Sequence, residues 1–490
     1  MSFDLIRFVH DPAAAAALGA RLATVMSDYW CSAQTDGFVL PPIMRDRAEM
    51  LRVATMALEQ APASASAAED HFVALARTFM EQSHRLHAPQ DSGHQVAPAV
   101  PWAALMEGVV SASGQGVAVY EMGPFARAAE LAVIRKLCGF IGYDARASGI
   151  ATGGGSLANL TALLAARNRA LPHAWQRGLG MAPSPVLVMS SDSHYSVARA
   201  AGILGLGTDS IIKIPVDGAR RMRPDALASA LDRARAEGRT VIVVVASACA
   251  TPIGAFDPLL EIAAITRLHG IWLHVDAAHG GGLLVSPDLR GRLAGIDQAD
   301  SVIWDAHKML HMPALLTFLL YRDGKDRFHA FAQDAPYVFG DGETPDQAEW
   351  DAGLATAECT RKGHTVALWA FWSTFGTAAT AAIVEHLVAT THAFYDDMRA
   401  SPDFVPVHQP ECNILCFRHI PEALRSASPE VLSRHQQTLY QKLIADGRHF
   451  LSATMLDGEW VLRVTVMNPL TTRAHLQALL SRSRELASAK

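Results

Sequence analysis

An acid leaving one apolar run and a His-Lys pair leaving the next are the residues of this chain best placed to do chemistry. IWLHV (271–275) delivers Asp276, and SVIW (301–304) delivers Asp305-Ala306-His307-Lys308. An amine carried into an apolar stretch is expected to lose its proton, because burial disfavours the ammonium form. A neutral amine can condense with an aldehyde. A carboxylate at a strand exit, poorly solvated, calls for a cationic partner. An amine for an aldehyde and an acid for a ring nitrogen together suit pyridoxal 5′-phosphate (PLP), which is carried as a Schiff base and works with a protonated ring. Strand alternation puts Trp272 and His274 on the face of Asp276, but same-face neighbours start roughly 7 Å apart. His274 is therefore not the expected partner of the acid. Ala277 and Ala278 are small enough to let a flat ring lie against the backbone. Taken singly, Lys308 could be a snorkelling surface lysine, and Asp276 a turn residue before Gly280-Gly281-Gly282.

Two further segments supply what such a cofactor needs. GIATGGGSLANLTALLAAR (149–167) is a glycine-rich turn entering a helix. The N–H groups of Gly154, Gly155 and Ser156, the Ser156 hydroxyl and the positive end of the helix suit a phosphate dianion. The same residues would also serve as an ordinary capped helix start. Neither a Walker loop nor a clean dinucleotide fingerprint is present. SSDSHYSVARAAGILG (190–205) places His194 between a strand and a helix, where an imidazole can stack on a planar cofactor and move a proton. A capping role is the plainer alternative, and Ser196 suits either a phosphate or the cap.

These residues require a scaffold that brings strand ends together. From about residue 102, helical patterns alternate with β-branched runs: VLVMS, IIKIPV, TVIVVVASA, IWLHVDAA, SVIWDA and LLTFLLYR. That alternation predicts an α/β fold, a mostly parallel sheet sandwiched by helices. Three parts are expected: an N-terminal helical segment (1–85), a large domain (86–375) and a smaller α+β C-terminal domain (376–490). HAPQDSGHQVAPAVP (87–101) reads as a loop.

The chain has 490 residues, half of them hydrophobic, 18% charged, with a net charge of −6. That is the composition of a soluble globular enzyme and gives no reason to expect nucleic acid. The six cysteines are scattered without CxxC pairing, against zinc or a disulfide framework; Cys412 and Cys416 read as core thiols. No metal is expected. The N-terminus does not look like a secretory signal, and no run reaches the ~18 uninterrupted apolar residues of a membrane helix. A cytoplasmic protein that meets no membrane is expected.

The segments also resemble a known family, the group II PLP-dependent amino acid decarboxylases, and most strongly its glutamate/cysteine sulfinate branch. AVYEMGP (118–124), GGGSLAN, SHYS, HVDAAHGGG and DAHKML match five of its motifs in order, and AECTRKGHTVALW (357–369) and VLRVTVMNP (461–469) are also similar. The likeness spans roughly residues 85–480. It implies PLP as cofactor and the fold type I of PLP-dependent transferases. By position it implies Lys308 as the Schiff-base lysine, Asp276 as the ring-nitrogen partner and His194 as the stacking residue. Gly154, Gly155, Ser156, Thr251, Ala278 and His307 fall at cofactor contacts, with Ala250 replacing the first of two family threonines. Arg463 matches an arginine that grips the substrate carboxylate, a use suited to a planar fork. Gln95 and Gln115 fall in pocket-shaping segments. The implied activity is α-decarboxylation of a small acidic amino acid or 2,4-diaminobutyrate by a homodimer with a shared active site. An aminotransferase, lyase or decarboxylation-linked oxidase on the same fold is the alternative. One departure stands out. Between Lys308 and Arg361-Lys362 the family's loop tyrosine has no counterpart: Tyr337 matches an earlier tyrosine, and the loop positions hold Pro345, Asp346, Glu349 and Trp350.

Overall fold

The computed structural model describes residues 3–35, 37, 39, 46–59, 64–180, 185–331 and 348–488. Twelve strands are found among them: β1 (Asp91–Ser92), β2 (Ser148–Thr152), β3 (Val186–Ser190), β4 (Ile211–Ile214), β5 (Val241–Ser247), β6 (Trp272–Asp276), β7 (Ser301–Asp305), β8 (Thr317–Tyr321), β9 (Phe404–Pro406), β10 (Ile414–His419), β11 (Phe450–Leu456) and β12 (Glu459–Thr465). The chain packs as two compact units. One comprises residues 1–94, 396–406 and 416–490, and the other residues 95–395 and 407–415. The N-terminal helices thus group with the C-terminal part instead of forming a third unit.

The larger unit is built on a seven-stranded sheet in the order β2-β8-β7-β6-β5-β3-β4. The run β7-β6-β5-β3-β4 is parallel, and β8 alone runs against its two neighbours. β3 and β5–β8 are buried almost throughout, which explains their continuous Val/Ile/Leu texture. Among the connecting helices are Tyr195–Ile203, Pro224–Ala236 and Leu259–His269. The helix Gly155–Ala170 lays Ala158, Ala162, Leu163 and Ala166 on the sheet, in one core with Ile150, Leu187, Val243, Ile303 and Leu319. Strand β2 is not obvious in the sequence. SGIAT lacks a β-branched run, but a side chain on Gly149 would come within 2.4 Å of the Leu319 carbonyl oxygen, so only glycine permits this close pairing with β8.

The same unit contains a buried ionic knot. Glu130, fully buried, is held by Arg127 Nη1 (2.5 Å) and by Arg361 Nη2 (2.6 and 2.7 Å). Burial alone would raise the carboxyl pKa, but the two guanidiniums hold it below its ordinary value. Arg127 also donates to the Glu349 carbonyl, Ser148 donates to Glu349 Oε1 (2.8 Å), and Arg327 lies 3.6 Å from Glu349 Oε2. Residues on either side of positions 332–347 are thereby clasped together.

The helix Thr365–Ala400 is broken at Gly376 (φ 68°, ψ 172°), a left-handed conformation that suits glycine. By length and composition it is apolar enough to cross a membrane, which the sequence reading did not anticipate; Val384, Leu387, Val388 and Phe394 are buried, as is a third of its most apolar stretch. In the smaller unit the sheet order is β1-β11-β12-β10-β9, with β11/β12 and β9/β10 antiparallel and β1 added parallel to β11. The helix Pro429–Asp446 packs on β11 and β12.

Candidate active site

Parallel strands leave a sheet at one edge, and here that edge carries the chemistry. Asp276 closes β6, Asp305 closes β7 with His307 and Lys308 just beyond, and His194 follows β3. These residues line one cavity of about 260 Å³ together with Gly154, Gly155, Ser156, Asn159, Thr251, Ala278 and Gln95. Most of the sequence-predicted residues are thus brought to one cavity. Gln115 is not brought there: it lies exposed after the helix Pro101–Ser113 and donates to the Ser113 carbonyl (3.4 Å). Arg463 belongs to the smaller unit, buried on β12, with Nη1 near Ser452 Oγ (3.2 Å) and the Gly93 carbonyl (3.4 Å). Tyr337, Pro345 and Asp346 lie outside the described residues; Glu349 belongs to the ionic knot, and Trp350 packs edge-on against Tyr120.

The charge state of Lys308 differs from the sequence expectation. Burial does press the amine pKa down, but Asp305 Oδ2 lies 3.0 Å from Nζ, and the carboxylates of Asp305 and Asp276 together raise it above the ordinary lysine value. The apolar texture of SVIWDA concealed the acid that decides the matter. Asp305 is itself buried, accepts from Thr317 Oγ1 (2.5 Å), and has His307 Nε2 at 3.5 Å. Burial would raise its pKa, but Lys308, His307 and Thr317 hold it down.

Asp276 has partners that sequence spacing does not reveal. Its Oδ2 accepts from Asn159 Nδ2 (2.9 Å) and its Oδ1 from the Ala278 N–H (3.2 Å). The same Asn159 nitrogen donates to Ser196 Oγ (2.9 Å), and Asn159 Oδ1 meets His274 Nε2 (2.9 Å). His274 is thus linked to the acid through an amide, as a second neighbour. The available signal was a polar residue among the buried positions of the first turns of the helix Gly155–Ala170. His194 caps the helix Tyr195–Ile203, its Nδ1 lying 2.7 Å from Ser196 Oγ and accepting the Ser196 N–H at 3.3 Å. Burial lowers its pKa, against the pull of Asp276.

The site has the features a phosphate-bearing pyridine aldehyde needs. Gly154, at φ 124°, opens the helix Gly155–Ala170, and a side chain on Gly155 would reach 3.2 Å from Asp305 Oδ1. Such a cradle leaves backbone N–H groups bare for an anion. An amine and a carboxylate stand in the same cavity, with His194 and Ala278 among its walls. The residues fit PLP.

Comparison with known proteins agrees. The family described as "Pyridoxal-dependent decarboxylase conserved domain" matches residues 56–420. The acidic amino acid decarboxylase GADL1 of Mus musculus is 32% identical over 379 residues, 76% of this chain and 68% of that protein. The cysteine sulfinic acid decarboxylase of Mus musculus is 33% identical over 374 residues, 74% of each. The crystal structure of mouse CSAD aligns with a TM-score of 0.90 at 28% identity, covering 98% of this chain and 100% of that one.

Proposed function

Because the chain belongs to the pyridoxal-dependent decarboxylase family and is a PLP-dependent amino acid decarboxylase, we propose that its substrate is a small acidic L-amino acid such as aspartate, glutamate or cysteine sulfinate. The observation that carries this choice is that relatives at 32% and 33% identity are named for acidic substrates.

When bound, PLP supplies an electron-accepting ring that takes up the electron pair released as CO2 departs. The chain's own residues take the following parts. Lys308 would hold the cofactor through its amine in the neutral form, the form able to condense with an aldehyde. Asp276 keeps a proton on the ring nitrogen, and Asn159 fixes the direction of that carboxylate. Gly154, Gly155 and Ser156 would hold the phosphate, with His307 beside them by resemblance, and Thr251 would be a further cofactor contact. His194 and Ala278, both lining the cavity, would contact the ring. Gln95, on the cavity wall, and Arg463, by resemblance, are assigned to the substrate, the guanidinium as a fork for its acid group.

A panel of L-amino acids assayed for CO2, amine, aldehyde and hydrogen peroxide tests this reading. Aspartate, glutamate or cysteine sulfinate should give CO2 and amine in equal amounts, with kcat/KM at least ~100-fold above 2,4-diaminobutyrate, a difference of ~2.7 kcal/mol in transition-state binding. A preference for diaminobutyrate would overturn the substrate choice. Aldehyde with peroxide as main products would favour the oxidase alternative.

The active form is proposed to be a homodimer. Trp102, Leu105 and Val109 share one face of the helix Pro101–Ser113 and are 65, 47 and 62% exposed. Trp102 meets Phe375 edge-on (5.2 Å), and Phe125, 61% exposed, meets Trp369 (5.1 Å). Grouped apolar exposure of this kind marks a protein interface. Light scattering should give twice the 52.6 kDa chain mass, and Trp102→Glu with Val109→Glu should shift the protein to monomers. An active wild-type monomer would exclude the dimer.

A further inference from the structure

The hydrogen bonds around Asn159 form one connected path with a fixed direction. At one end the Trp272 indole, which can only donate, gives its Nε1–H to Ser301 Oγ (2.9 Å). Ser301 Oγ lies 2.7 Å from His274 Nδ1, and His274 Nε2 lies 2.9 Å from Asn159 Oδ1. At the other end the Asp276 carboxylate can only accept, so Asn159 must present its NH2 group there. That choice turns the Asn159 carbonyl towards His274, which must then carry its proton on Nε2. Burial pushes the His274 pKa down to about 4, so the ring is neutral and Nδ1 is bare, ready to accept the Ser301 hydroxyl proton.

The second Asn159 amide hydrogen goes to Ser196 Oγ, leaving the Ser196 hydroxyl proton for His194 Nδ1 (2.7 Å). The Ser196 backbone N–H, also only a donor, points at the same nitrogen. His194 Nδ1 is therefore an acceptor twice over. In the neutral ring the proton sits on Nε2, which has no hydrogen-bond partner among the described residues and belongs to a side chain lining the cavity. All seven residues except His194 are buried in the cavity wall or core.

We propose that Asn159 is a positioning residue that sets Asp276 and His194 with one amide group, holding His194 as a proton donor through Nε2 towards the bound substrate. Asn159 uses one acceptor and two donor positions at once. Leucine offers none of these, and aspartate would place a carboxylate against Asp276. The proposal rests on the PLP-dependent decarboxylase reading for its consequence in turnover, but the proton position is a property of the protein itself.

The test is nitrogen NMR of the holoenzyme labelled with 15N-histidine, with the His194 signals assigned by their loss in His194→Gln. Wild type should show His194 with a bare Nδ1 and a protonated Nε2. Asn159→Leu frees the Ser196 hydroxyl and leaves the Ser196 N–H as the fixed donor to Nδ1, so the His194 nitrogen signals should shift measurably. With it kcat should fall roughly 10- to 100-fold, the scale of a slightly misplaced catalytic group, with KM within about twofold. Should Asn159→Leu not fold, His274→Phe and His274→Gln serve instead. The phenylalanine removes the donor to Asn159 and should disturb the His194 signals, whereas the glutamine keeps a donor and should restore them. A protonated Nδ1 in wild type, or unchanged His194 signals in both Asn159→Leu and His274→Phe, would overturn the proposal. Absence of CO2 release from wild type would instead count against the functional reading and leave the proton assignment standing.

Discussion

Replacing Lys308 with alanine should remove the visible absorbance of the purified protein, abolish borohydride-fixed PLP and cut turnover at least ~1000-fold, a barrier increase of ~4 kcal/mol. The amine is the group able to hold an aldehyde covalently in the cavity, and its Nζ lies 3.0 Å from Asp305. Alanine also strips a buried carboxylate of its cation, and breaking a buried pair costs about 3–5 kcal/mol. Lost activity could then reflect a damaged fold. Lys308→Arg separates the two effects: it keeps a cation beside Asp305 but cannot condense with an aldehyde, so it should fold and still fail both chemical readouts. Borohydride-fixed PLP in either variant would show that another amine holds the cofactor.

Asp276→Asn should lower kcat by ~100-fold or more, at least ~2.7 kcal/mol, while the far-UV spectrum and melting behaviour stay close to wild type. The two side chains have nearly the same shape, so the packing around β6 is retained. The change falls on charge and hydrogen-bond direction. An amide cannot keep a ring nitrogen protonated, and its NH2 group must face either the Ala278 N–H or the Asn159 NH2, each of which needs an acceptor. Activity within about tenfold of wild type, ~1.4 kcal/mol, would mean that Asp276 serves the fold and not the chemistry.

The parts of this protein readable from sequence are those in which neighbours along the chain carry the information. Apolar runs ending on Asp276 and on Asp305-Ala306-His307-Lys308 announced strand exits, and a parallel sheet sends such exits to one edge, so His194 and the Gly154–Ser156 turn arrived with them. Partners far apart in sequence were not readable. Asn159 and Asp276 are 117 positions apart, and Asn159 is one of several buried polar residues in its helix, with nothing local to single it out. The direction of the Lys308 shift was missed because Asp305 was read as the end of a strand, not as the countercharge three residues away. Strand β2 escaped for a different reason: Gly149 serves close backbone approach, which leaves no apolar pattern. The grouping of residues 1–94 with the C-terminal part likewise follows from tertiary packing that no local pattern encodes.

The clasp of Arg327 and Arg127 on Glu349 bears on how this chain can vary. Because the described residues on both sides of positions 332–347 are tied to the knot around Glu130, the work of bringing those two ends together is done outside the intervening segment. A substitution at Glu349 therefore reaches Ser148 and the buried Arg327 at once, since each loses a contact with the Glu349 carboxylate.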